Sequence, residues 1–299
     1  MRSSTLFWIW LAQGIGGATP ALTKLALEGL GPFGIVVVRQ ILGTLFLVGL
    51  AALGPRLRGG TAPASAPWTR RELALLLLLA WAGFALPQIL GAVGLALSTA
   101  THGAMLSPLE PIGILIGAAI VLGERLDRTH LLAGGLGALG TVAIVHSSRG
   151  NAAAGNLGGD LVIAAGHLCW AIYTLAAKPL VERHDPLRVS IYAAGISWLP
   201  LVPFALREPF DAARAAPALG WVVLLAFLAS GLGMLAWNRA LREVSAATMA
   251  LFVFVQPVVG VAIGILALGE RAGPWAIFGS VAIVLGVALA TWGGARAAR

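Results

Sequence analysis

One acidic side chain in this 299-residue sequence lies deep inside a long apolar stretch. Glu110 is about eleven residues from either end of Thr99–Leu122. A membrane helix rising about 1.5 Å per residue would place its carboxylate near the centre of the bilayer. Burial there favours the protonated form of a carboxyl group unless a cation lies beside it. The position predicts a proton-coupling carboxyl group. The alternative is a structural carboxylate that bonds a serine or a freed backbone group.

The second charged candidate is Arg39, about six residues into the apolar stretch Phe33–Leu53. A guanidinium group suits bidentate binding of a carboxylate, either that of a substrate or that of Glu110. A buried pair that only holds the structure in register is the alternative. Because a charge at membrane depth costs about 2.5–3.5 kcal/mol even on permissive scales, both residues are predicted to have a function.

Uncharged polar and aromatic side chains inside apolar stretches could line a cavity around these charges. His167, Trp170 and Tyr173 are spaced three residues apart, which places them on one face of a helix. Such a face can stack on an aromatic or cationic substrate, and core packing is the alternative. Buried amides also need partners. The amide candidates for substrate contact are Gln13, Gln88, Asn238 and Gln256.

The elements that position these side chains are predicted to be membrane helices. The chain is 59% hydrophobic and only 11% charged, with a mean hydropathy of +0.90, whereas soluble chains have about 25% charged residues. A water-soluble enzyme is therefore excluded. Segments of about 20 apolar residues are long enough to cross a bilayer. Ten such segments are marked: Leu6–Leu27, Phe33–Leu53, Leu73–Leu97, Thr99–Leu122, Leu131–Val145, Leu161–Leu180, Leu187–Leu206, Leu219–Leu241, Ala246–Leu268 and Trp275–Trp292.

Lysine and arginine are unevenly distributed between alternate connections. Twelve lie in the set that includes the N-terminus, and four lie in the opposite set. Positively charged connections stay in the cytoplasm, so both termini are predicted to be cytoplasmic, in a bacterial-type inner (plasma) membrane. The pI of 11.2 is thereby attributed to cytoplasmic arginines, and no nucleic-acid partner is expected.

Two motifs occur twice along the chain. The Glu-Pro at 110–111 recurs as Gln-Pro at 256–257, and the Leu-Gly-Glu-Arg run at 122–125 recurs at 268–271. Both recurrences have an offset of 146 residues. Matching spacing in two motifs indicates an internal repeat.

A matching pair of residues nearer the start of each half extends this repeat over the whole chain. Lys24 recurs as Lys178 at an offset of 154 residues, and the difference of eight fits a longer linker after the second segment. The predicted units are 1–147 and 148–299, each with five spans. Because five is odd, the two copies must enter the membrane from opposite sides, which predicts an inverted repeat with a substrate site between the halves.

Prolines inside apolar segments predict interrupted helices. Proline removes a backbone hydrogen bond and frees a carbonyl group, which membrane helices tolerate beside protein or a wet cavity. Interruptions at corresponding places in two halves mark binding sites in transporters. Static kinks are the alternative. The predicted hinge or broken-helix positions are Pro20, Pro87, Pro108, Pro111 and Pro257.

The repeated motifs carry a family resemblance. Ser107–Pro111 followed by Leu122–Leu126, within two five-span halves, resembles the EamA-like branch of the drug/metabolite transporter superfamily over nearly the whole chain. The second copy departs slightly, with Ala272-Gly273 where the first has Leu126-Asp127. The resemblance implies an all-α integral membrane carrier of ten helices. It also implies a central cavity lined mainly by the first four helices of each half, with the fifth and tenth helices at the periphery.

The resemblance implies a secondary active or facilitative transporter, which would work by alternating access and export a small metabolite such as an amino acid. The alternative is a nucleotide-sugar or phosphorylated-metabolite antiporter, or a lipid flippase, of the same superfamily. Phosphate would need several convergent cations, and the first half offers only Arg39 and Lys24. The expected partners are a small-molecule substrate, the lipid bilayer and protons.

No phosphate-binding loop, metal-ligand cluster or catalytic triad is recognisable in the sequence. An enzyme, a cofactor, a metal and catalytic residues are therefore not expected. The glycine-rich run Gly134–Gly140 permits close helix approach. It predicts packing within the monomer or, alternatively, a homodimer face.

Overall fold

A computed structural model describes residues 2–58, 67–98, 106–148, 156–259, 262 and 273–297. These residues form α-helices joined by short connections, and no strand occurs among them. The helices are α1 (Ser3–Ala26), α2 (Pro32–Arg58), α3 (Arg70–Leu97), α4 (Leu109–Val121), α5 (Arg128–Ser148), α6 (Leu157–Arg183), α7 (Pro186–Ala205), α8 (Ala212–Glu243), α9 (Ala246–Val259) and α10 (Pro274–Ala297).

Each predicted apolar segment overlaps one of these helices. By length and composition, α3, α6, α7, α8 and residues Pro32–Leu53 of α2 could each cross a membrane. The beginning of the predicted fourth segment, the end of the ninth and the motif at 268–271 lie outside the described residues. The all-helical prediction is confirmed for the part of the chain that the structure describes.

Polar side chains define where several helices begin. Thr69 and Glu72 form a capping box at the start of α3, in which each side chain bonds the backbone of the other residue. Single side-chain caps occupy four other starts, which satisfies amide groups that a helix leaves unpaired. These caps are Asn156 before α6, Asp185 before α7, Asp211 before α8 and Ser245 before α9.

Two helices contain a π-helical section near the middle. Leu79–Ala85 is π-helical within α3, and Ala226–Gly233 is π-helical within α8. Such wider turns are frequent at functional sites. At Gly83 in the first section, an added Cβ would lie 2.6 Å from the Cα of Tyr173. Glycine therefore allows α3 to approach α6 closely at this level.

One group of connections meets around residues 31–34 and 208. The Glu208 carboxylate, between α7 and α8, accepts hydrogen bonds from the backbone amides of Phe33 (3.0 Å) and Gly34 (2.7 Å). Nearer α6, the Ser98 hydroxyl donates to Asp160 over 2.6 Å. Both contacts join residues before 148 to residues after it.

A second group of connections involves the other ends of these helices. The Glu124 carboxylate, after α4, accepts hydrogen bonds from the amides of Ala246 and Ala247 at the start of α9, both over 2.8 Å. Arg183 lies 3.2 Å from Glu72 at the start of α3. These carboxylates stabilise positively polarised helix starts.

The glycine-rich run of α5 packs against this chain's own helices. An added Cβ at Gly140 would lie 2.5 Å from the carbonyl oxygen of Gly279 in α10, and one at Gly137 would lie 2.4 Å from the Phe254 ring. The glycines thus permit close contact of α5 with α10 and α9. This arrangement agrees with the prediction of packing within the monomer for these two positions.

Candidate substrate-binding cavity

Seven helices surround a cavity of about 190 Å³. Its lining comes from α1, α2, α3, α4, α6, α8 and α9. These helices belong to both predicted units. Of the residues predicted to bind substrate or to couple transport, Arg39, Glu110, His167, Trp170, Tyr173 and Gln256 line the cavity.

Glu110 lies in the first turn of α4 and is 8% exposed. Its Oε2 atom is 3.6 Å from Nδ1 of His167 on α6. This distance exceeds that of an ordinary hydrogen bond, and the His167 Nδ1 atom has no hydrogen-bond partner among the described residues. The structure therefore places a carboxylate and an imidazole side by side, with an unpaired buried nitrogen between them.

A second polar pair contributes to the cavity wall from α1 and α9. Nε2 of Gln256 donates a hydrogen bond to Oε1 of Gln13 over 3.0 Å. Gly16 makes room for this amide, because an added Cβ there would lie 2.7 Å from the Gln256 Nε2 atom. Gln13 is fully buried and does not line the cavity itself.

The two pairs occupy matching positions in the sequence repeat. Gln256 follows Glu110 by 146 residues, and His167 follows Gln13 by 154 residues. These are the offsets that relate the repeated motifs and the two lysines. A carboxylate–imidazole pair in one place thus corresponds to an amide–amide pair in the other.

Arg39 lies in α2 and is 5% exposed. Its Nε atom donates a hydrogen bond to the Ser230 hydroxyl over 3.0 Å, within the π-helical section of α8. Among the described residues no ion pair joins it to Glu110. The predicted Arg39–Glu110 pair is therefore not present in this structure, although both residues line the same cavity.

Aromatic side chains form one wall of the cavity. Trp170 and Tyr173 pack edge-on at a centroid distance of 5.7 Å, and both contact Phe84. The Tyr173 hydroxyl donates to Oδ1 of Asn238 over 3.0 Å, and Nδ2 of Asn238 donates to the Ser190 hydroxyl over 2.9 Å. Asn238 therefore lies behind the wall, where it orients Tyr173.

Gln88 also lies away from the cavity. Its Nε2 atom donates to the carbonyl oxygen of Phe84 over 2.9 Å, one turn earlier in α3. The sequence places this amide inside a helix but does not set the direction it faces. Local bonding to the backbone satisfies the donor side of the amide in place of a substrate contact.

The predicted hinge prolines occupy different positions in their helices. The helix α1 continues through Pro20, which lines the cavity, so the interruption predicted there is not observed. Pro87 lies two residues after the last residue of the π-helical section of α3, Ala85. Pro108 precedes α4 and Pro111 lies in its first turn. Amide groups in the first turn of a helix have no intrahelical partner, so proline costs no hydrogen bond there.

The equivalent proline of the second unit lies just beyond a break in its helix. A turn at Phe254 separates the first part of α9, Ala246–Val253, from the helical residues 255–259, which include Pro257. A hinge role remains a prediction for all five prolines.

The lysines near helix ends bond backbone carbonyls. Nζ of Lys24 donates to the carbonyl oxygen of Leu95 over 2.8 Å, and Nζ of Lys178 donates to that of Leu241 over 2.9 Å. Leu241 follows Leu95 by 146 residues. Simple snorkelling to the membrane surface, the interpretation that long basic side chains near span ends favour, does not account for these specific and corresponding bonds.

Sequence reasoning missed part of the lining. Gly16, Thr19, Phe84 and Trp237 contribute to the cavity, and Ser230 bonds Arg39 behind it. The sequence repeat could have identified two of these lining residues. Gly16 and Thr19 precede Trp170 and Tyr173 by the same 154 residues that separate the lysines.

A cavity of this composition can bind a small molecule with charged and apolar parts. The guanidinium group attracts an anionic group, the carboxylate attracts a cationic one, and the rings contact apolar surface. Among the described residues, no group of three or more histidine, cysteine or acidic side chains could hold a metal ion.

Apolar helices long enough to cross a membrane surround a cavity that contains buried charged side chains, which is an arrangement typical of membrane transport proteins. The chain belongs to the EamA-like transporter family, whose profile matches residues 3–146 and again residues 157–292. It is accordingly a transporter and not an enzyme.

Individual relatives agree with this assignment. The chain is 29% identical to a probable terminal-alkyne amino-acid exporter of Streptantibioticus cattleyicolor, over 97% of this chain and 94% of the relative. It is 28% identical to the uncharacterized transporter YyaM of Bacillus subtilis, over 67% of each chain. A crystal structure at 19% identity shares the fold, with a TM-score of 0.78 and 99% of both chains covered.

Proposed function

We propose that this protein is a secondary transporter that exports a small polar or amphipathic metabolite, such as an amino acid, by alternating access. The observation that carries the proposal is the cavity that joins Glu110, His167 and Arg39 with aromatic side chains. Its walls come from both units of the repeat. A relative motion of the two units would therefore expose the cavity to either side of the membrane in turn.

The proposed architecture is ten membrane spans in two inverted units, 1–147 and 148–299. The corresponding bonds of Lys24 and Lys178 to the ends of α3 and α8 support it. So do the π-helical sections at matching places in those two helices. Connections also meet in two groups, as ten helices in alternating directions require.

The proposed orientation has both termini in the cytoplasm of a plasma-membrane protein. The uneven distribution of arginine and lysine supports it. The sites around Glu124 and Glu72 then lie on the cytoplasmic side, and those around Glu208 and Ser98 lie on the outer side.

The size and charge of the cavity favour a small substrate. Pockets for drug-sized ligands measure roughly 300–1,000 Å³, whereas this cavity has about 190 Å³. Arg39 is the sole lysine or arginine among the described lining residues. A sugar nucleotide or lipid phosphate would need more space and more cations. One relative is a probable terminal-alkyne amino-acid exporter, which also favours an amino acid.

The proposal includes proton coupling through Glu110. Its carboxylate is the buried acidic group of the cavity, so its protonation changes the charge that a substrate meets. Facilitated flux without a proton is the outcome that the following experiment distinguishes.

Transport by purified protein in proteoliposomes tests these points. We expect uptake of labelled amino acids but not of labelled sugar nucleotides, with a several-fold stimulation by an imposed pH gradient. Glu110→Gln should abolish the stimulation, because the amide cannot exchange a proton. The matched control is Glu182→Gln, which changes a half-exposed carboxylate at the end of α6.

Each result decides one part of the proposal. Uptake of sugar nucleotides alone would contradict the substrate class. A gradient response that Glu110→Gln leaves unchanged would contradict the proton role while leaving transport intact. Selective thermal stabilisation of the purified protein by single amino acids would identify the cargo, since a ligand of the folded state raises its stability.

A further inference from the structure

Two polar pairs beside the cavity each join a residue of one half of this molecule to a residue of the other half. Glu110 on α4 meets His167 on α6, at 3.6 Å, and Gln13 on α1 bonds Gln256 on α9, at 3.0 Å. Each pair contains one residue from before 148 and one from after it. The offsets of 146 and 154 residues make the pairs counterparts of one another.

We propose that Glu110 and His167 together form one proton-binding site, and that Gln13–Gln256 is its non-titrating counterpart. The inference rests on the proposed transport function and adds His167 to it as a residue that shares the coupling proton. Amides neither gain nor lose protons near neutral pH. The proton therefore acts on one of these two polar pairs and leaves the other unchanged.

The geometry suits a shared proton. Both side chains are largely buried, and Nδ1 of His167 has no hydrogen-bond partner among the described residues while it lies near the carboxylate. An approach of roughly 0.5 Å would bring the two atoms to hydrogen-bond distance. A proton bound between a carboxylate and an imidazole at that distance belongs to both groups.

The proton balance of the pair is simple. Without the proton, a carboxylate faces a neutral imidazole, and the pair has a charge of −1. With the proton, the pair is neutral overall, either as carboxylate and imidazolium or as carboxylic acid and imidazole. The proton enters from water on one side of the membrane and leaves to water on the other.

Few other ionisable groups face the pair. Arg39 of α2 lines the same cavity, and Tyr173 lies on α6 itself. The described lining residues of α1, α3, α8 and α9 are uncharged, and Gln256 is the polar member from α9. The fixed charge of Arg39 therefore balances the unprotonated pair, and proton binding changes the net charge of the lining from zero to +1.

The first test measures the proton site without transport. Purified protein with ¹⁵N-labelled histidine is titrated by NMR, and the His167 signal is assigned by its loss in His167→Gln. We expect Glu110→Gln to change the midpoint of the pH dependence of the His167 signal, because the variant removes the carboxylate that shares the proton. Glu182→Gln is the control and should leave the midpoint in place. An unchanged midpoint in Glu110→Gln would overturn the shared site.

The second test measures coupling in proteoliposomes, with labelled L-alanine and L-phenylalanine as probes. His167→Gln and Glu110→Gln should each lose the stimulation by a pH gradient, and the double variant should lose no more than either one. Thermal denaturation in detergent, with the wild type as the reference, shows whether all three variants are folded. If His167→Gln retains full stimulation while Glu110→Gln loses it, the shared site is wrong and the proton role of Glu110 stands. If the wild type transports neither probe, the proposed function fails for these substrates, and the NMR result still decides the pair.

Discussion

The two sides of the cavity use equivalent positions for different chemistry. On α6 the wall presents an imidazole, an indole and a phenol at His167, Trp170 and Tyr173. The matching positions of α1 hold Gln13, Gly16 and Thr19. The repeat therefore supplies one backbone arrangement twice, and the side chains make one copy aromatic and titratable and the other small and neutral.

This difference has a physical consequence. A cavity between two identical halves would present the same groups to a substrate from both sides. Here the large rings come from α6, whereas α1 has glycine at the position of Trp170, and this glycine makes room for the Gln256 amide. Our proposal places substrate contact and proton binding at the α6 rings and the Glu110–His167 pair, whereas the α1 side contributes the hydrogen bond between two amides that do not titrate.

The largest expected effect comes from removing the asymmetry in size. Gly16→Trp would place an indole where an added Cβ already lies 2.7 Å from Gln256. We expect a loss of transport of about 100-fold or more, because overpacking displaces the amide pair and fills the space for substrate. Gly14→Leu is the control, since nothing lies within 4 Å of a Cβ there. Equal uptake by both variants would show that the small side of the cavity is not used.

The second largest expected effect comes from transferring the carboxylate–imidazole pair to the positions of the amide pair. Glu110→Gln with His167→Gln should remove stimulation by a pH gradient, and adding Gln13→His with Gln256→Glu should restore part of it. The reason is that the counterpart positions also face each other between the halves. The measurement is the ratio of uptake with and without the gradient. Failure to regain any stimulation, with counterflow intact, would mean that position in the fold and not the pair alone determines coupling.

The smallest effect concerns the hydroxyl groups at matching positions on α6 and α1. Tyr173→Phe leaves the buried Oδ1 atom of Asn238 without its donor, at a cost of about 1–2 kcal/mol. Thr19→Val removes a bond to the carbonyl of Ile15 within the same helix and should cost only a few tenths of a kcal/mol. Denaturation in detergent compares the two. A larger loss of stability for Thr19→Val than for Tyr173→Phe would contradict the structural importance of the Tyr173–Asn238 hydrogen bond.

Much of the fold could be predicted from the sequence. Apolar segments predict where the described helices lie, and the offsets of 146 and 154 residues match corresponding bonds in the structure. As the sequence predicts, one cavity is lined by Glu110, Arg39 and the helix face that includes His167. These features depend on local hydropathy and spacing, which a single chain displays directly.

The partners of the buried polar groups could not be predicted in this way. Gln13 bonds a residue 243 positions away, Arg39 bonds Ser230 instead of Glu110, and Gln88 bonds its own helix. Helical spacing determines which side chains share a face, but the rotation of each helix against its neighbours depends on packing.

The sequence by itself determined the membrane class, the helical segments and the repeat, because apolar length and periodic spacing are local properties of the chain. The tertiary structure decided which side chains meet across the cavity. Gly16 permits the close approach of α1 to Gln256, which bonds Gln13, and the packing of α4 against α6 brings Glu110 to His167. Those contacts between distant parts of the chain arise only when all the helices pack together.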